Sequence, residues 1–337
     1  MLFPRLQYIE LALFACVSAV TSKTCSHLLP THRVFQFDQT GTWIENIAVR
    51  PNGDLLVSLL QPTASLYTLA RPNSSSREFS LLHTFDNASS LLGITETHPD
   101  TYAILSIQFS ETLSPVPGSA TIWDVSFDDD KPLTRKITNV PDVLVPNGIA
   151  SVPGSPVVFV ADSTSGTITR CDTRAAACTL FLNTPQTAPA PGSSRPTGVN
   201  GIHYRRGYLY WSNSNLVSIF RVRLGDDGYL ASDASVETVG TVDATFIDDF
   251  AIDDDGRFWI AAASNNAIVA LRGNGSSEVV AGALTELTVA GPTSAAFGRT
   301  ARDRETLYVV TNGASSGPVN GITEPAKIVA VDTSGFV

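Results

Sequence analysis

The sequence predicts an all-β fold, a six-bladed β-propeller, on three observations. Beyond the N-terminus, short β-rich runs separated by Gly, Pro, Asn, Asp and Ser replace helical periodicity. A hairpin pattern recurs six times, and its copies start about 45 to 55 residues apart, the period of blades with four strands each.

The clearest copy is Ile247-Asp248-Asp249-Phe250-Ala251-Ile252, a turn Asp253-Asp254-Asp255-Gly256, and Arg257-Phe258-Trp259-Ile260-Ala261. It reads as strand, turn, strand, with acidic residues at the entrance and apolar residues along the arms. The other copies open at Glu45-Asn46-Ile47, Leu92-Gly93-Ile94, Asn147-Gly148-Ile149, Asn200-Gly201-Ile202 and Thr293-Ser294-Ala295. Each is followed by two further strand-like runs, such as Ile168-Thr169-Arg170 with Leu180-Phe181-Leu182. The sixth copy runs out of chain after Lys327-Ile328-Val329-Ala330-Val331, and Arg33-Val34-Phe35-Gln36-Phe37 is expected to supply its missing strand, closing the ring and removing an open edge. One propeller domain over 23–337 follows, with Pro185 to Pro196 and Ser315 to Pro325 as loops.

Of the 337 residues, 32 are acidic and 22 basic, a net charge of −10. Such a field repels polyanions, so neither nucleic acid nor, once the leader is removed, an anionic membrane is expected as a partner. Residues 1–22, with Arg5 and then the apolar run Leu11 to Val20, read as a secretory signal peptide. Sequons at Asn73, Asn87 and Asn274 suit a glycosylated, secreted protein. Cys171 and Cys178 fall on the two arms of one hairpin, placed for a disulfide; Cys25 is left over.

In a propeller the first strand of each blade lines the channel, so equivalent positions converge at one mouth. That brings together Glu45, Asn147, Asn200 and Asp248, with Asn46, Asp249, Thr293 and Ser294 beside them. Oxygen donors around an axis can hold a hard cation such as Ca²⁺; taken singly, such residues also cap turns. Of the five His, only His203 falls on an expected inner strand, where it can serve as acid or base. Trp43, Trp123, Trp211, Phe246 and Trp259 can wall an apolar pocket, although strand aromatics commonly fill cores. The chain carries no phosphate loop or zinc spacing.

With these motifs the chain resembles the SMP-30/gluconolactonase/LRE-like propellers. That resemblance implies a metal set of Glu45, Asn147 and Asp248, with Asp249 standing where the family usually has Gly. Pro-Asn-Gly-Ile-Ala (146–150), Val-Asn-Gly-Ile (199–202) and Asp-Asp-Phe-Ala-Ile-Asp (248–253), with the signal peptide, are most similar to the secreted fungal branch. That branch includes hetero-Diels–Alderases that join a tropolone quinone methide to a humulene-type alkene. The resemblance implies a small-molecule enzyme of secondary metabolism: a pericyclase needing no cofactor, with Asp248, Asp249, Asn200 and His203 at its centre and Asn46, Thr293, Ser294, Trp211 and Phe246 around the substrate. A Ca²⁺-dependent lactonase and a non-catalytic ligand-binding propeller are the alternatives. The oligomeric state is not readable from the sequence.

Overall fold

Strand β1 (Thr31–Gln36) pairs antiparallel with β24 (Lys327–Asp332), from Thr31 opposite Val331 to Gln36 opposite Lys327, with a bulge between Arg33 and Phe35. The computed structural model describes residues 28–112, 114–128 and 131–336. The expected signal peptide, Cys16, Cys25 and His27 lie outside the described residues.

Between these two strands the chain builds the blades in order. Blade 1 holds β2 (Trp43–Val49), β3 (Leu55–Gln61), β4 (Ser65–Ala70) and β5 (Glu78–Thr84); blade 2 holds β6 (Ser90–His98), β7 (Thr101–Ile107), β8 (Thr121–Asp128) and β9 (Lys131–Asn139). Blade 3 comprises β10 (Pro146–Ser151), β11 (Val157–Asp162), β12 (Thr167–Asp172) and β13 (Ala177–Asn183); blade 4 comprises β14 (Val199–Arg205), β15 (Tyr208–Asn213), β16 (Ser218–Arg223) and β17 (Glu237–Thr241). Blade 5 is β18 (Phe250–Ile252), β19 (Phe258–Ala262), β20 (Ala267–Leu271) and β21 (Ser277–Gly282). Blade 6 is β22 (Pro292–Phe297), β23 (Thr306–Thr311) and β24, completed at its outer edge by β1. The chain is therefore a six-bladed β-propeller, closed by its N-terminal strand as expected.

The core is divided among the six interfaces between neighbouring blades. Strand β11 shows the rule: Phe159 and Ala161 face blade 4 beside Ile202 and Trp211, while Val158 and Val160 face blade 2 beside Leu105 and Ile122. Both faces of a middle strand are buried, so it reads as a continuous apolar run although its side chains alternate. Outer strands have one wet face, and β13 accordingly exposes Thr179 and Leu180. Hydroxyls add ties across the interfaces near the mouth: Ser58 Oγ donates to Leu92 O (2.6 Å), Ser163 Oγ to Val199 O (2.7 Å), Ser212 Oγ to Asp248 O (2.7 Å) and Thr293 Oγ1 to Ile44 O (2.7 Å).

Each inner strand is irregular at its mouth end. Ile44 and Asn46 oppose Leu59 and Ser58, leaving Glu45 as an extra residue; Pro292 and Ser294 oppose Thr311 and Val310, leaving Thr293. In blades 2, 3 and 4 two residues, such as Asn200 and Gly201, stand opposite one. In blade 5, Asp248 donates its N–H to Ala261 O while Asp249 O accepts from Ala261 N. Such bulges bend a strand and re-aim its side chains, and here they turn consecutive residues toward the axis at the mouth.

Cys171 and Cys178 lie directly opposite one another on β12 and β13 and form a disulfide. It closes a loop with a sequence separation of 7. In the chain-entropy account a loop this short contributes about 2–3 kcal/mol. Replacing both cysteines by Ala should lower stability by that amount in urea denaturation, with the fold retained.

Candidate functional site: a buried acidic cluster at the channel mouth

Asp249 sits at the centre of the mouth. Its Oδ2 accepts from Asn46 Nδ2 of blade 1 and from Ser294 Oγ of blade 6, each at 3.0 Å. Its Oδ1 accepts from Phe250 N at 2.8 Å and lies 2.7 Å from His203 Nε2 of blade 4. Burial pushes its pKa up, but the adjacent His203, the Phe250 amide and Asn46 outweigh this and hold it below the ordinary carboxylate value. Asp249 is thus an ionised acceptor, which makes Nε2–H of His203 the donor. The carboxylate passes directly over Gly201, where an added Cβ would lie 2.0 Å from Asp249 Oδ1. Blade 4 needs glycine there for that close approach.

Glu45 and Asp248 share the same mouth and behave in the opposite sense. Both are 5% exposed. Burial, offset by the indole N–H that Trp43 donates but reinforced by the charge of Asp249, pushes Glu45 up to about 7. Burial, then the charges of Glu45 and Asp249, raise Asp248 well above the carboxylate range. Three acids therefore divide into one held ionised by donors and two biased toward the protonated form.

Asn200 lies beside Asp248 and lowers its pKa slightly; it donates Nδ2 to Ser214 Oγ (3.0 Å), while its Oδ1 is buried with no partner. Asn147, expected among the metal ligands, is the half-buried next position around the ring and makes no hydrogen bond to either raised acid. Among the described residues no group of three or more His, Cys, Asp and Glu is arranged to hold a metal. With an amide oxygen included, however, the donors suit a hard cation: Glu45, Asp248 and the unpartnered Asn200 Oδ1 would hold Ca²⁺, which would polarise a substrate carbonyl. Asn200, rather than Asn147, would then supply the amide oxygen. Leu92, fully buried, occupies the corresponding position in blade 2 and offers no donor.

The aromatic expectations divide. Trp43 is half-buried and lines a cavity of about 690 Å³ with Leu60, Pro62, Ser90, Phe109 and Arg195. That size suits a small organic ligand. Trp211, expected at the pocket wall, is instead buried between blades 3 and 4, stacked on Phe220 and donating its indole N–H to Gln186 O (3.1 Å). As a middle-strand residue it faces the neighbouring blade, not the channel. Phe246 is buried at the mouth beneath the guanidinium of Arg195, whose carbon lies 4.3 Å from the ring centroid. Thr293 and Ser294 are spent on inter-blade bonds. Trp259 binds Asp253 at the opposite end of its hairpin, where Arg257 also reaches that carboxylate; the Asp253 to Asp255 tract is a turn, with Gly256 at φ +84°. Arg195, within the Pro- and Ser-rich loop, was not readable from the sequence. Trp43 was among the aromatics expected to wall a pocket.

The sequon asparagines differ in setting. Asn87 and Asn274 are exposed, and Asn274 Oδ1 accepts from Ser276 N and Oγ. The Asn73 amide is engaged with Asp303 and Tyr308.

No protein-family model matches the chain. A protein from a Phoma species named as a candidate hetero-Diels–Alderase is 30% identical over 308 residues, covering 84% of this chain and 87% of the relative. The chain belongs to that family. A second member, from Sarocladium schorii and named the same way, is 28% identical over 95% of this chain and 87% of its own length. This hetero-Diels–Alderase family member is an enzyme of the cyclase type. Its fold is that of luciferin-regenerating enzyme (TM-score 0.63, 12% identity, 91% of this chain and 96% of that one). The calcium-binding regucalcin of Agrobacterium tumefaciens is similarly related (TM-score 0.61, 14% identity, 91% and 96% covered).

Two outcomes follow from the cluster. Glu45 has a raised folded pKa, so the native state holds a proton that the unfolded chain releases above pH 4.5, and stability falls as pH rises from there to about 7. Glu45→Gln should remove that fall, giving about 3 kcal/mol over wild type at pH 8 and nothing at pH 4, read by urea denaturation at each pH. Gly201→Ala must displace the Asp249 carboxylate and should cost about 1–3 kcal/mol.

Proposed function

We propose that this protein is a hetero-Diels–Alderase joining a tropolone quinone methide to a humulene-type alkene, with the cavity beside Trp43 as the reaction chamber. The observation carrying the reading is its likeness, over most of both chains, to two relatives named for that reaction. The chemistry agrees with what lies at the mouth. A hetero-Diels–Alder reaction forms one C–O and one C–C bond while three π bonds become one; no atom leaves and no proton need move. An enzyme for it must hold the two partners in one relative orientation, which can contribute on the order of 7–11 kcal/mol. Trp43, Phe109 and Leu60 offer apolar surface for such holding. Neither raised acid lines that cavity; Glu45 meets it through Trp43, whose indole N–H it accepts. Secretion and glycosylation at Asn87 and Asn274 belong to the same proposal.

One observation favours a second reading. The unpartnered Asn200 Oδ1 beside Glu45 and Asp248 suits Ca²⁺, as in a metal-dependent lactonase of the gluconolactonase type. The test is a quinone methide generated with an alkene partner in the presence of the purified protein. The proposed reading expects faster adduct formation and an altered stereoisomer ratio, both indifferent to EDTA, with Trp43→Ala losing at least tenfold of the acceleration. An adduct ratio equal to that of the uncatalysed reaction, or lactone turnover abolished by EDTA and by Asp248→Ala, would sink it.

A further inference from the structure

The loop between blades 3 and 4 brings a guanidinium to the mouth from outside the ring of inner strands. Its backbone is held: Arg195 N donates to Ser193 Oγ (3.2 Å), Ser193 Oγ donates to Arg195 O (3.0 Å), and Asn215 Nδ2 donates to Arg195 O (3.0 Å). Asn215 Oδ1 also accepts from Thr197 N (2.9 Å), so one amide fixes the chain from the Arg195 carbonyl to Thr197. The side chain lies across Phe246, lines the cavity with Trp43, and has no ion pair among the described residues. Its field reaches Glu45 and Asp248, lowering both against the larger effect of burial. A cation over an aromatic face at an accessible site gains only about 0.5–1 kcal/mol, so Phe246 orients the guanidinium without consuming its donors.

We infer that Arg195 is the group that binds the substrate's oxygens: its planar fork takes the two adjacent oxygens of a flat, dioxygenated ring, which then lies against Trp43 in the cavity. This rests on the reading above and deepens it. A guanidinium matches a paired-oxygen edge with two parallel N–H bonds, which an ammonium does not reproduce. In the cycloaddition the heterodiene's oxygen gains negative character as the new C–C bond forms ahead of the C–O bond, and fixed donors there stabilise the transition state more than the ground state. All electrons remain within the two reacting partners, so Arg195 supplies charge and direction only. The exposed Arg195 is the mouth's one donor fork with no carboxylate of its own among the described residues; Arg50, for comparison, is buried and bidentate on Asp100.

The experiment is calorimetric titration of tropolone into wild type, Arg195→Ala and Arg195→Lys, with thermal melts to verify folding and the adduct assay run in parallel. Arg195→Ala should weaken tropolone binding at least tenfold and slow adduct formation by a similar factor, and Arg195→Lys should recover only part of either. Tropolone binding in Arg195→Ala within twofold of wild type, or no binding to wild type, overturns the inference. If Arg195→Ala fails to fold, Arg195→Lys decides, and wild-type affinity there overturns it equally. Wild type that binds tropolone through Arg195 but does not accelerate adduct formation sinks the cycloaddition reading while leaving the binding role standing.

Discussion

An ionised carboxylate buried at the mouth of the ring is the constraint around which this propeller is arranged. Removing a charge from water costs several kcal/mol after relaxation, and only matched donors offset it. Asp249 finds them on blades 1, 4, 5 and 6. Strands that share no sheet are thereby held to one another by a single side chain. The ring cannot expand at this point without leaving a buried charge short of donors.

The rest of the mouth follows from that commitment. Because Asp249 is ionised, the neighbouring Glu45 and Asp248 face both low dielectric and a like charge, and they respond by holding protons. Bulges make the arrangement possible, since a regular strand would alternate its side chains and send one of each consecutive pair into a blade interface. Tolerance for a bulge is highest where the sheet ends, and the acids are found there.

The architecture was legible because each blade repeats one hairpin, and six copies at a near-constant interval admit few alternatives. The closing role of the N-terminal strand was legible for the same reason: the sixth copy lacked a strand and Arg33 to Phe37 offered one. At the mouth the repeat addressed single positions, Glu45, Asn46, Asn200, Asp248, Asp249, Thr293 and Ser294 among them. What the repeat could not address was pairing between blades. His203 and Asp249 are 46 residues apart and meet only through the curvature of the ring. Trp211 was misread because both faces of a middle strand are buried, so alternation does not separate a channel-facing residue from one facing the next blade. Arg195 lies in an aperiodic loop whose course is set by Asn215, and no spacing points to it.

The seam between β1 and β24 has a bearing on how the molecule is made. Thr31 emerges from the ribosome among the first residues of the propeller and must wait for Val331, its partner, which emerges among the last. Throughout synthesis five blades can assemble from local hairpins, while the sixth has an unpaired edge and the Asp249 carboxylate still lacks Ser294. Closing so long a loop carries an entropy cost that grows only slowly with length, but it cannot begin before the last propeller strand has been made. The nascent chain thus passes through an open crescent whose exposed strand edge invites pairing with other chains. Folding factors acting on this protein would meet that crescent before any closed ring exists.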